Sequence, residues 1–296
     1  LAVLAAFGVR TLLRAVGRTP VKLALAAVLA FVVVSDLEYP FVPNPVGSLP
    51  SYDALRDQPP GIAAELPMMP ANQDLSQATF YQQRHGKRIV NGYREGTLQE
   101  ARATGLNDLS SKKVLSGLRA IGVKYLLVRQ DTDIVGWPKV PEPRAKDVTL
   151  LKADPAMKLY RLKPGFGTLA LWFRDLGAIE TGTDGKPLQW SQGDDVELNL
   201  ATSCVTCTKG TVTFTLQPFG GPRTLTFTGA GLNGRKETIA PGITKVGLPV
   251  TLRDGRADID VAISPGPVPI PSVIAGSTDT RSFSVGLGEP TLEVDR

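Results

Sequence analysis

The chain has 296 residues, of which 42% are hydrophobic and 21% charged, so it is long enough for two ordinary domains and has the composition of a folding chain. Its 30 glycines, 24 prolines and 6% aromatic residues favour many turns and short strands. The net charge of +5 is uneven: residues 1–35 carry 4 basic and no acidic side chains, residues 36–163 carry 18 basic and 14 acidic, and residues 164–296 carry 11 basic and 14 acidic. No basic stripe interleaved with aromatics appears, which argues against a nucleic-acid partner.

The sequence starts at Leu1 with an apolar run, where a native start would show Met. We therefore expect that an upstream part of the protein is missing and that the chain is a fragment. Residues 1–16 have the character of the end of an apolar helix, and Gly17 and Pro20 indicate a turn after it.

A second apolar segment, residues 20–37, contains an uncharged run from Leu23 to Ser35. Eighteen helical residues rise about 27 Å, close to the roughly 30 Å hydrocarbon core of a bilayer. Basic side chains between the two apolar segments predict that this loop stays cytoplasmic and that the chain leaves the helix outside at Asp36: Arg10, Arg14, Arg18 and Lys22. A cleaved secretory signal peptide or a buried core helix are the alternatives.

These observations predict the organisation of the first part of the chain. Residues 1–38 comprise the end of a membrane helix, a basic cytoplasmic loop and a last transmembrane helix, so the protein lies in the cell membrane with the lipid bilayer as a partner. Residues after about 36 are extracytoplasmic. Residues 39–50, YPFVPNPVGSLP, are a proline-rich tether.

Residues 51–163 alternate helix and strand signals, which predicts a small extracytoplasmic α/β domain. The predicted elements are a helix at 51–57, a strand at 61–66, a helix at 75–84, a helix capped by Ser110 or Ser111 and running to Ala120, and strands at Val123–Arg129 and Met157–Leu162. In the last of these helices one face is apolar, formed by Val114, Leu115, Leu118 and Ile121, and Gly122 ends it.

Residues 164–296 change to a period of two, which predicts antiparallel strands with one wet face. Apolar residues alternate with polar ones at 212–216, 225–227, 246–252, 259–263 and 283–287. The segments are bounded by Gly, Pro or Asp. We predict a β-sandwich of jelly-roll type, and an α+β multidomain protein as a whole.

Cys204 and Cys207 are the two cysteines of the chain and lie between two strand-like segments. In an oxidising compartment we expect them to form a small-loop disulfide. Free thiols, or a reactive or metal-bound pair, are the alternatives. Zinc needs further ligands, and the single histidine is far away in sequence, so no metal is expected.

The stretch YQQRHGKRIVNGY carries the most function-like residues of the chain. Cationic, amide and phenol groups together could bind a phosphate or the hydroxyls of a sugar. Our candidate ligand-binding residues here are Arg84, His85, Arg88, Asn91 and Tyr93. The alternative is that these polar groups hold the α/β domain together.

Carboxylate pairs suited to glycoside hydrolysis are not expected. Adjacent residues of a strand point to opposite faces, so Asp194 and Asp195 cannot work as a pair, and Asp258 and Asp260 alternate with apolar residues as a solvated face would. We therefore assign no catalytic residue and no cofactor. Trp190 is a further candidate for stacking on a sugar, although for Trp172 and Trp190 a place in the core is favoured.

The order of these features resembles the C-terminal part of bacterial polytopic membrane glycosyltransferases of the GT-C superfold and their uncharacterised relatives. The resemblance covers nearly the whole chain. It is carried by Asp36 and Pro40, Glu65 to Pro67, Tyr81, residues 85–93 (HGKRIVNGY), 122–128 (GVKYLLV) and 159–162 (LYRL), Trp190, and Asp279, Arg281 and Phe283.

Such enzymes, as the resemblance implies, transfer a sugar from a polyprenyl-phosphate donor to a cell-envelope glycan on the outer membrane face. The catalytic carboxylate of the family lies in an early loop upstream of this sequence, so none is carried over. The resemblance implies that this chain is the appended extracytoplasmic region. A secreted or membrane-anchored carbohydrate-binding β-sandwich module is the alternative function.

Overall fold

The computed structural model describes residues 50–68, 82–91, 97–130 and 140–296, all of which belong to the compact unit Leu49–Arg296. The predicted membrane segment and tether, most of the predicted helix at 75–84, and Tyr93 lie outside these residues. Within the described ranges, no helix is both long and apolar enough to cross a bilayer.

The helices whose bounds the structure describes are α1 Pro50–Arg56, α2 Leu98–Gly105, α3 Lys112–Ala120 and α4 Ile270–Val273, and residues 82–85 are helical as well. The prediction for α3 is confirmed. Ser111 is its N-cap residue, although the side chain makes no capping hydrogen bond, and Gly122 follows the helix with a φ of +83°. The predicted apolar face is buried: Val114, Leu115, Leu118 and Ile121.

The first sheet has the strand order β2-β1-β3-β5-β4. Its strands are β1 Ile62–Leu66, β2 Arg88–Ile89, β3 Val123–Arg129, β4 Val148–Ala153 and β5 Met157–Leu162. Strand β1 runs parallel to β2 and β3, and β5 runs antiparallel to β3 and β4. The predicted strands β3 and β5 have the expected bounds.

Alternate residues of β3 point to opposite faces of this sheet, and both faces are covered by a core. On one face Tyr125 packs in a core with Tyr52 and Leu55 of α1. On the other face Leu126 packs in a core with the apolar face of α3.

The remaining strands form two antiparallel sheets and one small pair. They are β6 Thr168–Phe173, β7 Leu176–Thr181, β8 Pro187–Ser191, β9 Asp195–Thr202, β10 Lys209–Pro218, β11 Arg223–Gly229, β12 Arg235–Ile239, β13 Thr244–Thr251, β14 Arg256–Ser264, β15 Val268–Pro269, β16 Ser282–Phe283, β17 Val285–Gly288 and β18 Thr291–Val294. One sheet has the order β12-β11-β14-β9-β6. The other has the order β13-β10-β17-β8-β7, with β18 also pairing with β10. Strands β15 and β16 pair separately.

The two large sheets bury their facing sides in one core, which confirms the predicted antiparallel β-sandwich. The predicted period of two is seen directly: in β10 Val212, Phe214 and Leu216 are buried while the intervening threonines are not. The same holds for the apolar positions of β11, β13 and β14. The jelly-roll type of the sandwich stays a prediction.

Strand β6 joins the two cores. Its residues Ala170 and Trp172 belong to the sandwich core, whereas Leu169 packs in the core that contains α3, and Leu171 packs against that core. The Ser116 hydroxyl of α3 accepts a hydrogen bond from the Thr168 N–H at 2.9 Å and donates one to the Thr168 carbonyl at 3.1 Å. Helix α3 therefore docks on β6 through apolar packing and through hydrogen bonds between the Ser116 side chain and the Thr168 backbone.

Candidate functional site

A cleft of about 630 Å³ lies between α2 and strands β6, β7 and β8. We call it the helix–sandwich cleft. Its position follows from β6: Leu169 and Leu171 face the helices, and Phe173, the next residue on that face, is half-buried and lines the cleft. An apolar wall results, to which Leu171, Phe173, Leu176, Ile179 and Pro187 contribute.

Of the charged side chains that line the cleft, Lys113, Arg174 and Glu289 are in ion pairs, whereas the exposed Asp175 carboxylate is in none of the ion pairs found among the described residues. Arg174 forms ion pairs with Asp195, at 3.2 Å, and with Glu197, both on β9. Lys113 of α3 forms an ion pair with Glu289, which follows β17. Both cations of the cleft lining are therefore already paired with carboxylates, which disfavours an anionic ligand.

Uncharged polar groups complete the cleft lining. Gln189, Gln192, Thr97 and Thr104 contribute amides and hydroxyls. The Gln189 amide N–H donates to the Gly177 carbonyl at 3.3 Å, which leaves its oxygen as an acceptor. Amides and hydroxyls can both donate and accept, which suits a ligand that carries hydroxyl groups.

The turn between β6 and β7 is unusual in its backbone. Arg174 and Asp175 have φ values of +68° and +48°, in the left-handed region that favours glycine. This conformation costs roughly 1 kcal/mol or more for each non-glycine residue. The Gln192 N–H donates to the Asp175 carbonyl at 2.7 Å and ties the turn to the end of β8. The turn carries the chain from one sheet of the sandwich to the other beside the cleft.

The predicted candidates Arg84 and His85 are both engaged in structural contacts. Arg84 donates to the Asp53 carboxylate of α1 at 3.1 Å. His85 is 2% exposed and stacks on Tyr52 with 5.7 Å between ring centroids, and its Nδ1 accepts a hydrogen bond from the Lys87 N–H at 3.0 Å. Burial, with a smaller contribution from the Lys87 charge, lowers the pKa of His85 to about 4. The imidazole is therefore neutral at physiological pH.

The other candidates lie in different surroundings. The Asn91 amide pairs with the backbone of Glu65, and Arg88 is exposed at the start of β2. Trp190 belongs to β8 of the sandwich, is 9% exposed, and stacks on Phe283 with 5.3 Å between centroids. The candidates thus contact different elements, with Arg84 and His85 on α1, Asn91 on β1 and Trp190 in the sandwich, and Tyr93 lies outside the described residues.

Both tryptophans that the sequence assigned to the core are indeed buried. Trp172 lies in the sandwich core, where its Nε1–H donates to the Gly288 carbonyl at 2.9 Å. Trp190 lies in a separate small cluster with Leu188, Ile270 and Phe283. Neither ring offers an open face for stacking on a sugar.

Cys204 and Cys207 are joined by a disulfide in the connection between β9 and β10, with 5.4 Å between their Cα atoms. The carboxylate pairs have structural partners as well: Asp195 pairs with Arg174, and Asp258 accepts a hydrogen bond from the Asn199 amide at 2.7 Å. Across the described ranges, no group of three or more His, Cys, Asp or Glu side chains could hold a metal ion.

Sequence reasoning did not find the cleft residues Phe173, Gln189 and Gln192. One signal was present: TLALWF is apolar at almost every position of β6, which indicates a strand covered on both faces rather than one with a wet face. That pattern identifies β6 as the strand between two cores, where a cleft can form.

No protein-family model and no functionally described protein matches the sequence. Among solved structures, the isomalto-dextranase of Arthrobacter globiformis T6 complexed with panose has a TM-score of 0.30 and 13% identity, covering 48% of this chain and 26% of that one. The cycloalternan-forming enzyme from Listeria monocytogenes in complex with a pentasaccharide substrate has a TM-score of 0.28 and 15% identity, covering 48% of this chain and 13% of that one. A carbohydrate-binding module of Cellvibrio mixtus lichenase 5A in complex with cellotriose has a TM-score of 0.25 and 14% identity, covering 41% of this chain and 88% of that one. Similarities this low assign neither a family nor a ligand to this chain.

Proposed function

We propose that this chain is a carbohydrate-binding region of a membrane-anchored cell-envelope protein, and that it holds an uncharged glycan segment in the helix–sandwich cleft. The observation that carries the proposal is the lining of the cleft. A half-buried phenyl ring, Phe173, lies in the same cleft as the amides of Gln189 and Gln192. A sugar ring presents an apolar C–H face and a rim of hydroxyls, and this combination complements both.

The electrostatics favour a neutral ligand over a phosphorylated or acidic one. Arg174 is neutralised by two carboxylates of β9, and Lys113 is neutralised by Glu289. An anionic ligand would have to displace these pairs. A neutral polyhydroxy ligand can instead bind to the amides of Gln189 and Gln192 without displacing an ion pair.

The membrane context of the proposal comes from the sequence. Residues 20–37 are proposed to span the bilayer and to deliver the cleft to the outer side. The resemblance to polytopic membrane glycosyltransferases suggests that the bound glycan is an envelope acceptor, or the sugar of a polyprenyl-phosphate donor. We propose no catalytic residue in this chain.

The test of glycan binding uses the full chain in detergent micelles and isothermal titration with a panel of neutral and acidic oligosaccharides. Phe173→Ala is expected to weaken binding of the neutral ligand by about tenfold, the effect of losing one stacked ring. Phe166→Ala is the matched control, because Phe166 is also partly exposed but does not line the cleft. Equal affinity of the wild type and Phe173→Ala would overturn the proposal.

Two further variants separate the cleft from the sites suggested by the sequence. If binding is lost in Arg88→Ala or Trp190→Ala but retained in Phe173→Ala, the glycan site lies elsewhere. The membrane context is tested separately, with a topology reporter fused after Arg296. A cytoplasmic reporter would refute the proposed location without deciding whether the cleft binds sugar.

A further inference from the structure

One edge of the first sheet collects positive charge from several strands. In the register of the parallel strands, Arg88 of β2 is paired with Ile62 of β1, and Ile62 is paired with Val123 of β3. The antiparallel strand β5 ends at the same edge, since Tyr125 is paired with Arg161. Strand β4 begins there too, with Val148 paired to Leu162 of β5.

The cations of this edge are exposed or partly exposed and come from four separate segments. We call them the basic edge: Lys87, Arg88, Lys124, Arg144, Lys146 and Arg161. They lie at or next to the ends of β2, β3, β4 and β5. The arrangement is a property of the fold, because the six residues are spread over 75 positions of the sequence.

Their hydrogen-bond partners do not neutralise them. The Lys87 ammonium donates to the carbonyls of Arg56 and Gln58, at 3.0 and 2.6 Å. Lys124 donates to the Pro60 carbonyl at 3.3 Å, and Arg161 donates to the Gln58 side-chain oxygen at 2.6 Å. All these acceptors are uncharged, so the three side chains keep their positive charge. The loop between α1 and β1, which contains Gln58 and Pro60, therefore brings Lys87, Lys124 and Arg161 together.

Carboxylates at the same edge are already engaged with other cations. Asp57 lies 3.5 Å from the Arg56 guanidinium, and Asp147 lies 3.3 Å from that of Arg119. These two pairs are neutral in sum. The six cations of the basic edge are therefore left to interact with a partner outside the chain.

We propose that the basic edge contacts the anionic phospholipid headgroups of the bilayer in which the chain is anchored. The inference rests on the membrane anchoring in the proposed function, but not on glycan binding. Helix α1, whose carboxyl end joins the basic edge, begins at Pro50, and the predicted spanning segment ends at residue 37. A tether of about a dozen residues reaches at most roughly 40 Å, so the edge remains within reach of the headgroups.

Clustered Lys and Arg next to a membrane segment bind anionic lipid through their summed charge, with about a fivefold gain in partitioning for each cation near the surface. Salt weakens such binding, because the Debye length is about 8 Å at physiological ionic strength. An acidic polysaccharide could also meet the edge through charge alone. The tether favours the bilayer, since it keeps the edge at a high effective concentration near lipid.

The experiment uses the full chain reconstituted in lipid nanodiscs of phosphatidylcholine, with or without phosphatidylglycerol, and backbone hydrogen exchange as the readout. We expect residues 144–147 and 87–89 to be protected only in discs that contain phosphatidylglycerol, and the protection to fall as salt rises. The triple variant Arg88→Glu, Arg144→Glu and Lys146→Glu is expected to lose this lipid-dependent protection from hydrogen exchange.

A second triple variant, Lys209→Glu, Lys236→Glu and Lys245→Glu, is the matched control. It changes the net charge by the same amount at exposed positions of the sandwich and should keep the protection. Equal exchange in both kinds of disc would overturn the inference. Protection by added heparin but not by phosphatidylglycerol would assign the edge to an acidic polymer instead. A chain that fails to enter discs at all would refute the anchoring, which is a different outcome.

Discussion

The side-chain amide of Asn91 takes the place of a strand residue beside Glu65. Its oxygen accepts a hydrogen bond from the Glu65 N–H at 2.7 Å, and its nitrogen donates to the Glu65 carbonyl at 2.6 Å. Strand β2 ends at Ile89, so the amide extends the ladder where the backbone no longer can. Asn107 pairs with the N–H and carbonyl of Met68 in the same way, at 2.6 and 2.9 Å.

Asn91→Ala should destabilise the fold by about 2 kcal/mol, because two backbone groups of a buried strand lose their partners. Urea unfolding followed by circular dichroism measures the loss. Asn107→Ala removes the corresponding pair at Met68 and should show a similar loss. If Asn91→Ala unfolds at the same urea concentration as the wild type, the amide does not support β1.

A buried ion pair lies next to this contact. The Arg129 guanidinium donates to the Glu65 carboxylate at 2.8 Å, and their side chains are only 8% and 5% exposed. Arg129→Met should cost about 3–5 kcal/mol, because it leaves a buried carboxylate without its cation.

The double variant Arg129→Met, Glu65→Gln should recover a large part of that stability, since it removes both charges. Unfolding free energies of the wild type, the two single variants and the double variant form a complete cycle. Additive losses in the double variant would show that the two charges are not coupled.

The pH dependence of stability should contain a contribution from His85. Its pKa is about 4 in the folded protein, below its ordinary value of 6.5, so the unfolded chain binds more protons between these two values. The contribution is therefore fully present above about pH 6.5 and is lost as the pH falls towards 4, up to about 3 kcal/mol.

His85→Gln removes the titrating group while keeping a side chain of similar polarity. Unfolding free energies of both proteins at about pH 7 and about pH 4.5 give the comparison. We expect the loss on acidification to be smaller in the variant. Parallel pH profiles would show that His85 does not remain neutral through burial.

Gly167 should be essential for docking α3 on the sandwich. A Cβ at this position would lie 2.2 Å from the Ser116 carbonyl oxygen and 2.8 Å from the Ala120 nitrogen, both backbone atoms of α3. Gly167→Ala is expected to cost about 3 kcal/mol, because the helix has to move away from β6. The shape of the helix–sandwich cleft would change with the position of α3, because Lys113 and Val114 of this helix line the cleft.

Gly247 supplies a steric control in β13. A Cβ there meets nothing closer than the Thr213 hydroxyl oxygen at 4.0 Å. Gly247→Ala should leave the melting temperature unchanged or raise it slightly, since it reduces the entropy of the unfolded chain. Equal melting temperatures for the two variants would contradict the close packing of α3 on β6.

The sequence by itself was sufficient to predict the helices and strands that have a clear local pattern of hydrophobic residues. The apolar face of α3, the strands β3 and β5, and the alternation in β10 could be predicted because hydrophobic periodicity reports directly which side of an element is covered. The buried state of Trp172 followed from the general preference of large aromatic residues for a core.

Only the tertiary structure decided which residues meet. The sequence placed Arg84, His85 and Asn91 in one candidate site, but Asp53, Tyr52 and Glu65 engage them one by one, and those partners come from α1 and β1. The basic edge from Lys87 to Arg161 likewise joins strands far apart in the chain, and the cleft beside Phe173 forms where α2 meets the consecutive strands β6, β7 and β8. Pairings between distant segments depend on sheet order and register, and a local pattern of hydrophobicity carries no information about either.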